Sequence, residues 1–247
     1  MKIFKLSIFL FGALLALSTH AQVFDVPYKE DAPTRTLLIP AKQPKAVVLL
    51  FIGGAGWLKL QDDGSTSSTH TFIRSKNLWA QYGVDAVLVD TPYSLGTRRD
   101  DVRPGRDHQE RILNVVNFYK EKLKLPVWIF GHSRGTISVS EFVNGEEDRA
   151  KLVAGVIIAG TINTVSIDSN VKSPVLGIHH KQDGCYITPY SASVDIIKAR
   201  SGLSNAKLVT LDGGIDEGDP CQNKAYHGFN QLEPDLIKAA AEFILSH

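Results

Sequence analysis

Six stretches of this chain are apolar almost without interruption: residues 46–52, 84–90, 126–131, 152–160, 174–180 and 206–212. They are rich in Val, Ile and Leu and end in Gly, Asp or His. A strand with one wet face alternates apolar and polar positions. Unbroken apolarity means burial on both faces, as in the central strands of a parallel sheet. Between these runs the period changes to that of a helix. Residues 107–123 place Ile112, Val115, Val116, Tyr119 and Leu123 three or four apart. Residues 234–246 do the same with Leu236, Ile237, Ala240, Phe243 and Ile244, and Pro234 suits a first helical turn. Residues 71–82 and 188–200 carry weaker helical patterns, and 135–144 reads as a short helix. Ahead of the first run, 23–28 and 34–40 read as two edge strands joined by a turn at 31–33. Strands alternating with helices predict right-handed crossovers and a three-layer, doubly wound, mostly parallel sheet of eight strands. No repeat, low-complexity segment or domain boundary interrupts residues 22–247, which are expected to form one domain.

The first 22 residues follow another rule. Lys2 and Lys5 precede an apolar run at 8–17, and Thr19 and Ala21 occupy the −3 and −1 positions of a cleavage site after Ala21. Residues 1–21 therefore read as a signal peptide. The rival reading is an uncleaved anchor, but the run is shorter than the ~20 residues a membrane span needs. No cysteine stands near the site to carry a lipid. Export would place Cys185 and Cys221, the only two cysteines, in an oxidising compartment. There a disulfide between them is favoured over two buried thiols, and their spacing suits no zinc site. With 43% hydrophobic and 21% charged residues the chain is of ordinary globular composition, and its net charge of +1 argues against nucleic-acid binding. No second apolar segment is long enough to span a bilayer, so no stable membrane association is expected after cleavage.

Candidate chemistry lies at the ends of the apolar runs. Gly131-His132-Ser133-Arg134-Gly135 follows one run directly and precedes a helical segment. The G-x-S-x-G pattern alone is weak. The strand–turn–helix context puts Ser133 on a sharp turn at the carboxyl end of the sheet, where open α/β sheets bind ligands. A serine hydroxyl needs a base in reach and a group to orient that base. Of eight histidines, His20 belongs to the leader, His70 and His108 precede the serine, His132 adjoins it and points elsewhere, His179 and His180 end a strand, and His247 is expected to fray. His227, between the last strand and the last helix, remains as the base. Asp183, just past the run at 174–180, is the favoured acid, with Asp212, Asp216 and Asp219 as competitors, whereas Asp195 falls within a helical segment.

The order Ser133, Asp183, His227, each at a strand exit, resembles the α/β-hydrolase superfamily over nearly the whole mature chain. The eight strands and the two leading ones carry the resemblance as well. It implies an oxyanion hole made by the N–H of Arg134 and an N–H of the loop Phe-Ile-Gly-Gly-Ala-Gly-Trp at 51–57. The matched position is Ala55, with Gly54 and Gly56 as alternatives. The loop departs from the family pattern in having no histidine before its glycines. No cofactor and no metal are implied. Only residues 161–173 separate two strands where many relatives insert a helical lid, so no large lid is expected and the site should be open. The expected function is exported hydrolysis of small carboxylic esters. A peptidase or amidase using the same triad, or a non-catalytic binding protein on this scaffold, are the rivals. Trp57 is expected either to line the acyl pocket or to pack. Arg98, Arg99, Arg103 and Arg106 are read either as a grip for a substrate carboxylate or as a self-paired charged loop.

Overall fold

In the computed structural model, which describes residues 20–96, 102–146, 148–203 and 205–247, the six apolar runs become six parallel strands. The strands are β1 (Gln22–Tyr28), β2 (Asp31–Ile39), β3 (Ala46–Phe51), β4 (Val84–Asp90), β5 (Val127–His132), β6 (Gly155–Ala159), β7 (Val175–His180) and β8 (Ala206–Leu211). They form one eight-stranded sheet in the order β1-β2-β4-β3-β5-β6-β7-β8. Strands β3 to β8 pair in parallel, whereas β2 is antiparallel to both β1 and β4. Residues 1–19 of the expected leader, and Arg98 and Arg99, lie outside the described residues.

Side-chain parity splits each central strand between two cores. Val47, Leu49 and Phe51 of β3 join Val127 and Ile129 of β5 in one cluster. Val48 and Leu50 join Trp128 and Phe130 in the other. Helices α2 (Arg106–Leu123), α3 (Gly135–Asn144) and α4 (Tyr190–Lys198) cover the first face through Ile112, Val116, Val139, Phe142 and Ile196. Helices α1 (Thr71–Ser75) and α5 (Glu233–Leu245) cover the second through Phe72, Leu236, Ala240 and Phe243. Both faces of β3, β4 and β5 are thus dry, which is why their sequence shows no alternation.

Three expectations change. β2 is not an edge strand: it is flanked by β1 and β4, with Arg35 opposite Asp90. The reversal before it comes at residues 29–30, where Lys29 takes a φ of 49°, so Asp31 and Pro33 already belong to β2. The helix expected over 71–82 breaks into α1 and a separate 3-10 turn, Trp79–Tyr82. Ser75 bonds its hydroxyl to Thr71 C=O at 2.9 Å inside α1, a local competitor that bends helices. His247 lies exposed beyond the end of α5, with its Nδ1 2.9 Å from Phe243 C=O.

Chain order reverses at β3, with β4 on one side and β5 on the other. Such a switch point opens a crevice at the carboxyl ends of the strands. The 15 residues from Gly160 to Pro174, which separate β6 from β7, contain no helix, and no large lid is present there. Among the described residues no helix is long and apolar enough to cross a membrane.

Candidate active site

Ser133 stands between the last residue of β5 and the first of α3, with a φ of 54°. A left-handed non-glycine residue costs about 1–2 kcal/mol and persists only where its surroundings impose it. Here Ser133 N–H donates to Ala159 C=O at 2.9 Å, and Ser133 C=O accepts from Thr136 N–H at 2.9 Å and from its hydroxyl at 2.6 Å. The flanking glycines are steric requirements. A Cβ on Gly131 would overlap the backbone of Gly135, and one on Gly135 would overlap the carbonyl of Phe51. Arg134 forms the N-cap of α3 in right-handed helical conformation, directly after the serine.

His227 lies in a 3-10 turn, Tyr226–Gly228, after β8, and is 3% exposed. Its Nδ1 is 2.9 Å from Asp183 Oδ2. Asp183 sits in the turn after β7 and accepts further bonds from Cys185 N–H at 2.9 Å, the Thr188 hydroxyl at 3.1 Å and His179 Nε2 at 3.3 Å. Burial pushes this carboxyl's pKa up. The hydrogen bonds from His179 and His227 outweigh burial and hold it well below the usual carboxylate range. The competing acids lie elsewhere: Asp212 pairs with Lys181 at 3.3 Å, Asp216 accepts from Tyr226 N–H at 3.2 Å and Asp219 from Cys221 N–H at 2.7 Å. A buried carboxylate on Nδ1 fixes the imidazole tautomer so that Nε2 can accept a proton.

Ser133 and His227 line one cavity of about 210 Å³, together with Gly53, Gly54, Ala55 and Trp57. Trp57 is 40% exposed, with the Lys59 ammonium 4.3 Å from its ring centroid, so it forms part of the wall instead of packing in the core. The chain after it is pinned by Asp90, whose carboxylate accepts Leu58 N–H at 2.6 Å and Leu60 N–H at 2.8 Å. Gly56 N–H closes a turn onto Gly53 C=O at 3.0 Å, which commits that donor. Cys185 and Cys221 form a disulfide that ties the turn of Asp183 to the loop before His227. Cys221 itself reaches the cavity wall.

The same architecture recurs in solved structures. A dienelactone hydrolase from Anabaena variabilis superposes with a TM-score of 0.65 at 16% identity, over 92% of this chain and 98% of that one. This chain has the α/β-hydrolase fold. A lidless α/β serine hydrolase from Xanthomonas campestris gives 0.61 at 14% identity over 93% and 96% of the two chains. A cold-adapted esterase from an Arctic intertidal metagenomic library gives 0.59 at 12% over 90% and 92%. No protein-family model and no curated protein matches the sequence.

Two buried histidines of this α/β-hydrolase fold stand where the sequence carried no sign of them. His132 does not point away. Its ring lies 4.9 Å from that of His227, and its Nε2 is 2.9 Å from His227 C=O. His70 N-caps α1 and also lines the cavity, with Gly53 N–H directed at its Nε2 over 3.3 Å. Thr188 and His179, which hold Asp183, had no signal in the sequence, because neither belongs to a motif. Of the arginines read as a substrate grip, Arg106 is exposed and pairs with Glu110 at 2.6 Å. Arg103 is 2% exposed, and its guanidinium is spent on backbone carbonyls.

Proposed function

We propose that the chain is an exported serine hydrolase that cleaves small carboxylic esters through an acyl-enzyme. The observation that carries the reading is the 2.9 Å bond from Asp183 to His227 Nδ1, in a cavity that also holds Ser133 on its strained turn. His227 Nε2 takes the hydroxyl proton as Ser133 Oγ attacks the ester carbonyl. Asp183 stabilises the imidazolium that results. The N–H groups of Arg134 and Ala55 hold the oxyanion, and each such donor is worth about 3 kcal/mol. The tetrahedral species collapses, and the alcohol leaves with the proton from His227. Water then attacks the acyl carbonyl with His227 again as base, and the second tetrahedral species collapses, breaking the Ser133 Oγ–acyl bond to release the carboxylic acid as His227 returns the proton to Oγ. Every acid, base and donor in this scheme is a side chain or a backbone group, so neither a metal nor a cofactor takes part.

The small cavity and the absence of a large lid support short acyl groups over long lipid chains. The Cys185–Cys221 disulfide supports export and hence removal of residues 1–21. The test is a panel of p-nitrophenyl esters of increasing acyl length, with matched anilides, on wild type and Ser133→Ala. The expected result is ester turnover falling with acyl length, weak anilide turnover, and a loss of at least about a thousandfold in Ser133→Ala. Anilides cleaved in preference to esters would make the protein an amidase, and equal rates for both proteins would remove the triad.

A further inference from the structure

The buried guanidinium of Arg103 raises a question of purpose. It comes from a segment that reads as a charged surface loop, yet it is 2% exposed. Its Nη2 donates to two carbonyls of the glycine-rich loop, Ile52 at 3.2 Å and Gly54 at 3.0 Å. Its Nη1 donates to Ser138 Oγ of α3 at 2.7 Å. The backbone is held too, with Gln109 Nε2 donating to Arg103 C=O at 2.7 Å. Arg103 takes no part in lining the Ser133 cavity, which is bounded by Gly53, Gly54 and Ala55.

Peptide geometry turns these contacts into a statement about the other side of the loop. In a trans peptide the C=O of one residue and the N–H of the next point in opposite directions, and the described chain has no cis bonds. With Ile52 C=O turned to Arg103, Gly53 N–H points away from it, and it is found directed at His70 across the cavity wall. With Gly54 C=O turned to the same Nη2, Ala55 N–H points away from Arg103 as well. The neighbouring peptide is fixed independently: Ala55 C=O accepts from Leu95 N–H at 2.8 Å, and Gly56 N–H is committed to Gly53 C=O. Gly54 and Gly56 sit at φ values of 56° and 66°, so the loop holds a shape it would not keep unaided.

Resting on the hydrolase reading above, we infer that Arg103 is a positioning residue: it aims the Ala55 N–H at the substrate oxyanion by holding the Ile52 and Gly54 carbonyls on the far side of the loop. The arrangement also has the right polarity. A cation anchors the negative ends of two peptide dipoles and leaves their positive ends facing the cavity, where negative charge develops in the reaction. The donor is set before substrate arrives, so no reorganisation accompanies the chemical step. Gly56 leaves room for this contact, since a Cβ there would come within 2.9 Å of Nη2.

The test compares Arg103→Lys, Arg103→Gln and Ser138→Ala with wild type on p-nitrophenyl acetate, with Ser133→Ala in parallel. Lysine keeps the charge but loses the fork, and Ser138→Ala removes only the far anchor of the guanidinium. The two Arg103 variants are expected to lose about 10- to 100-fold in kcat with KM within about twofold, and Ser138→Ala several-fold. The second readout is the carbonyl stretch of a cinnamoyl acyl-enzyme, followed by Raman difference spectroscopy. It is expected at higher frequency in the variants, because the acyl oxygen is less well bonded. A purely structural role would lower the melting temperature and leave this band in place. An unchanged kcat and an unmoved band overturn the inference, and Ser138→Ala alone decides if the Arg103 variants do not fold. If Ser133→Ala is inactive while these variants are not impaired, only the role of Arg103 fails. If Ser133→Ala keeps full activity, the hydrolase reading itself has failed.

Discussion

His70 Nε2 lies 3.0 Å from His132 Nδ1, and the gap between the two rings holds a single proton. The hydrogen-bond network assigns it. His132 Nε2–H donates to His227 C=O, which leaves Nδ1 as an acceptor. His70 Nδ1 accepts from Phe72 N–H at 3.1 Å, which leaves the proton on Nε2, so Gly53 N–H, 3.3 Å from that nitrogen, faces it without bonding to it. Both rings are neutral. Burial, and after it the other cationic groups nearby, lower the pKa of His132 to about 3 and that of His70 well below its ordinary value. Burial does the same for His108, to about 3.

The first prediction concerns acid stability. The unfolded chain binds these protons near pH 6.5, long before the folded one does. The contribution of His132 and His108 is therefore complete above about pH 6.5 and is lost as pH falls from there towards 3, at about 1.4 kcal/mol per pH unit for each ring, and that of His70 is lost in the same direction. Urea midpoints measured from pH 7 to pH 4 should fall steeply in wild type. His132→Gln, which keeps a donor for His227 C=O, should fall less steeply by one ring's share. Parallel slopes would mean that His132 is not buried neutral.

Asp183→Asn tests the acid. An amide cannot hold the imidazolium, and the tautomer of His227 is no longer fixed. The kcat for p-nitrophenyl acetate should fall by about 10⁴-fold with a modest change in KM. The carboxyl's pKa is lowered in the folded state, so its contribution to stability is present above about pH 4 and is lost below that. The variant should accordingly lack the acid-side drop that wild type shows there. Wild-type turnover by Asp183→Asn would return the role to a competing acid.

Gly53→Ala separates site geometry from stability. The added Cβ would stand 2.6 Å from Ser133 Cβ and 3.1 Å from its Oγ. The hydroxyl has to shift, and a displacement of about 1 Å costs on the order of 100-fold in rate. Esterase assays should show that loss, while thermal melting should fall by only a few degrees. Full activity would mean that the loop retreats from Ser133 without penalty.

The Cys185–Cys221 bridge closes a loop of 36 residues in sequence separation. In the chain-entropy model its loss costs about 4 kcal/mol, less any strain. Cys185→Ser with Cys221→Ser should show that loss in urea unfolding. Because the bridge joins the turns that carry Asp183 and His227, kcat should fall as well under conditions where the variant is fully folded. Full activity in folded, reduced protein would limit the bridge to a global role.

The parallel sheet was legible because burial on both faces writes itself as unbroken apolar runs. Ser133, Asp183 and His227 were legible because a strand exit before each can be located. The rest depends on packing across long sequence distances. His70 and His132 lie 62 positions apart, and only the fold brings their rings together. Arg103 stands among arginines and aspartates that read as solvated charge, and no local pattern tells a buried guanidinium from an exposed one. β2 looked like an edge strand because its antiparallel contact with β4 is a matter of sheet order, which apolar periodicity does not encode.

The alternation along β3 means that the two halves of this molecule can be damaged separately. Val47 and Leu49 support the layer of α2 and α3, and α3 begins two residues after Ser133. Val48 and Leu50 support the layer of α1 and α5. Adjacent residues of like size and equal burial therefore answer to different masters. A void opened under Leu49 lets the helix that follows Ser133 sag, whereas one opened under Leu50 leaves that footing in place. A neutral drift of the α5 face can proceed without disturbing the geometry of Ser133.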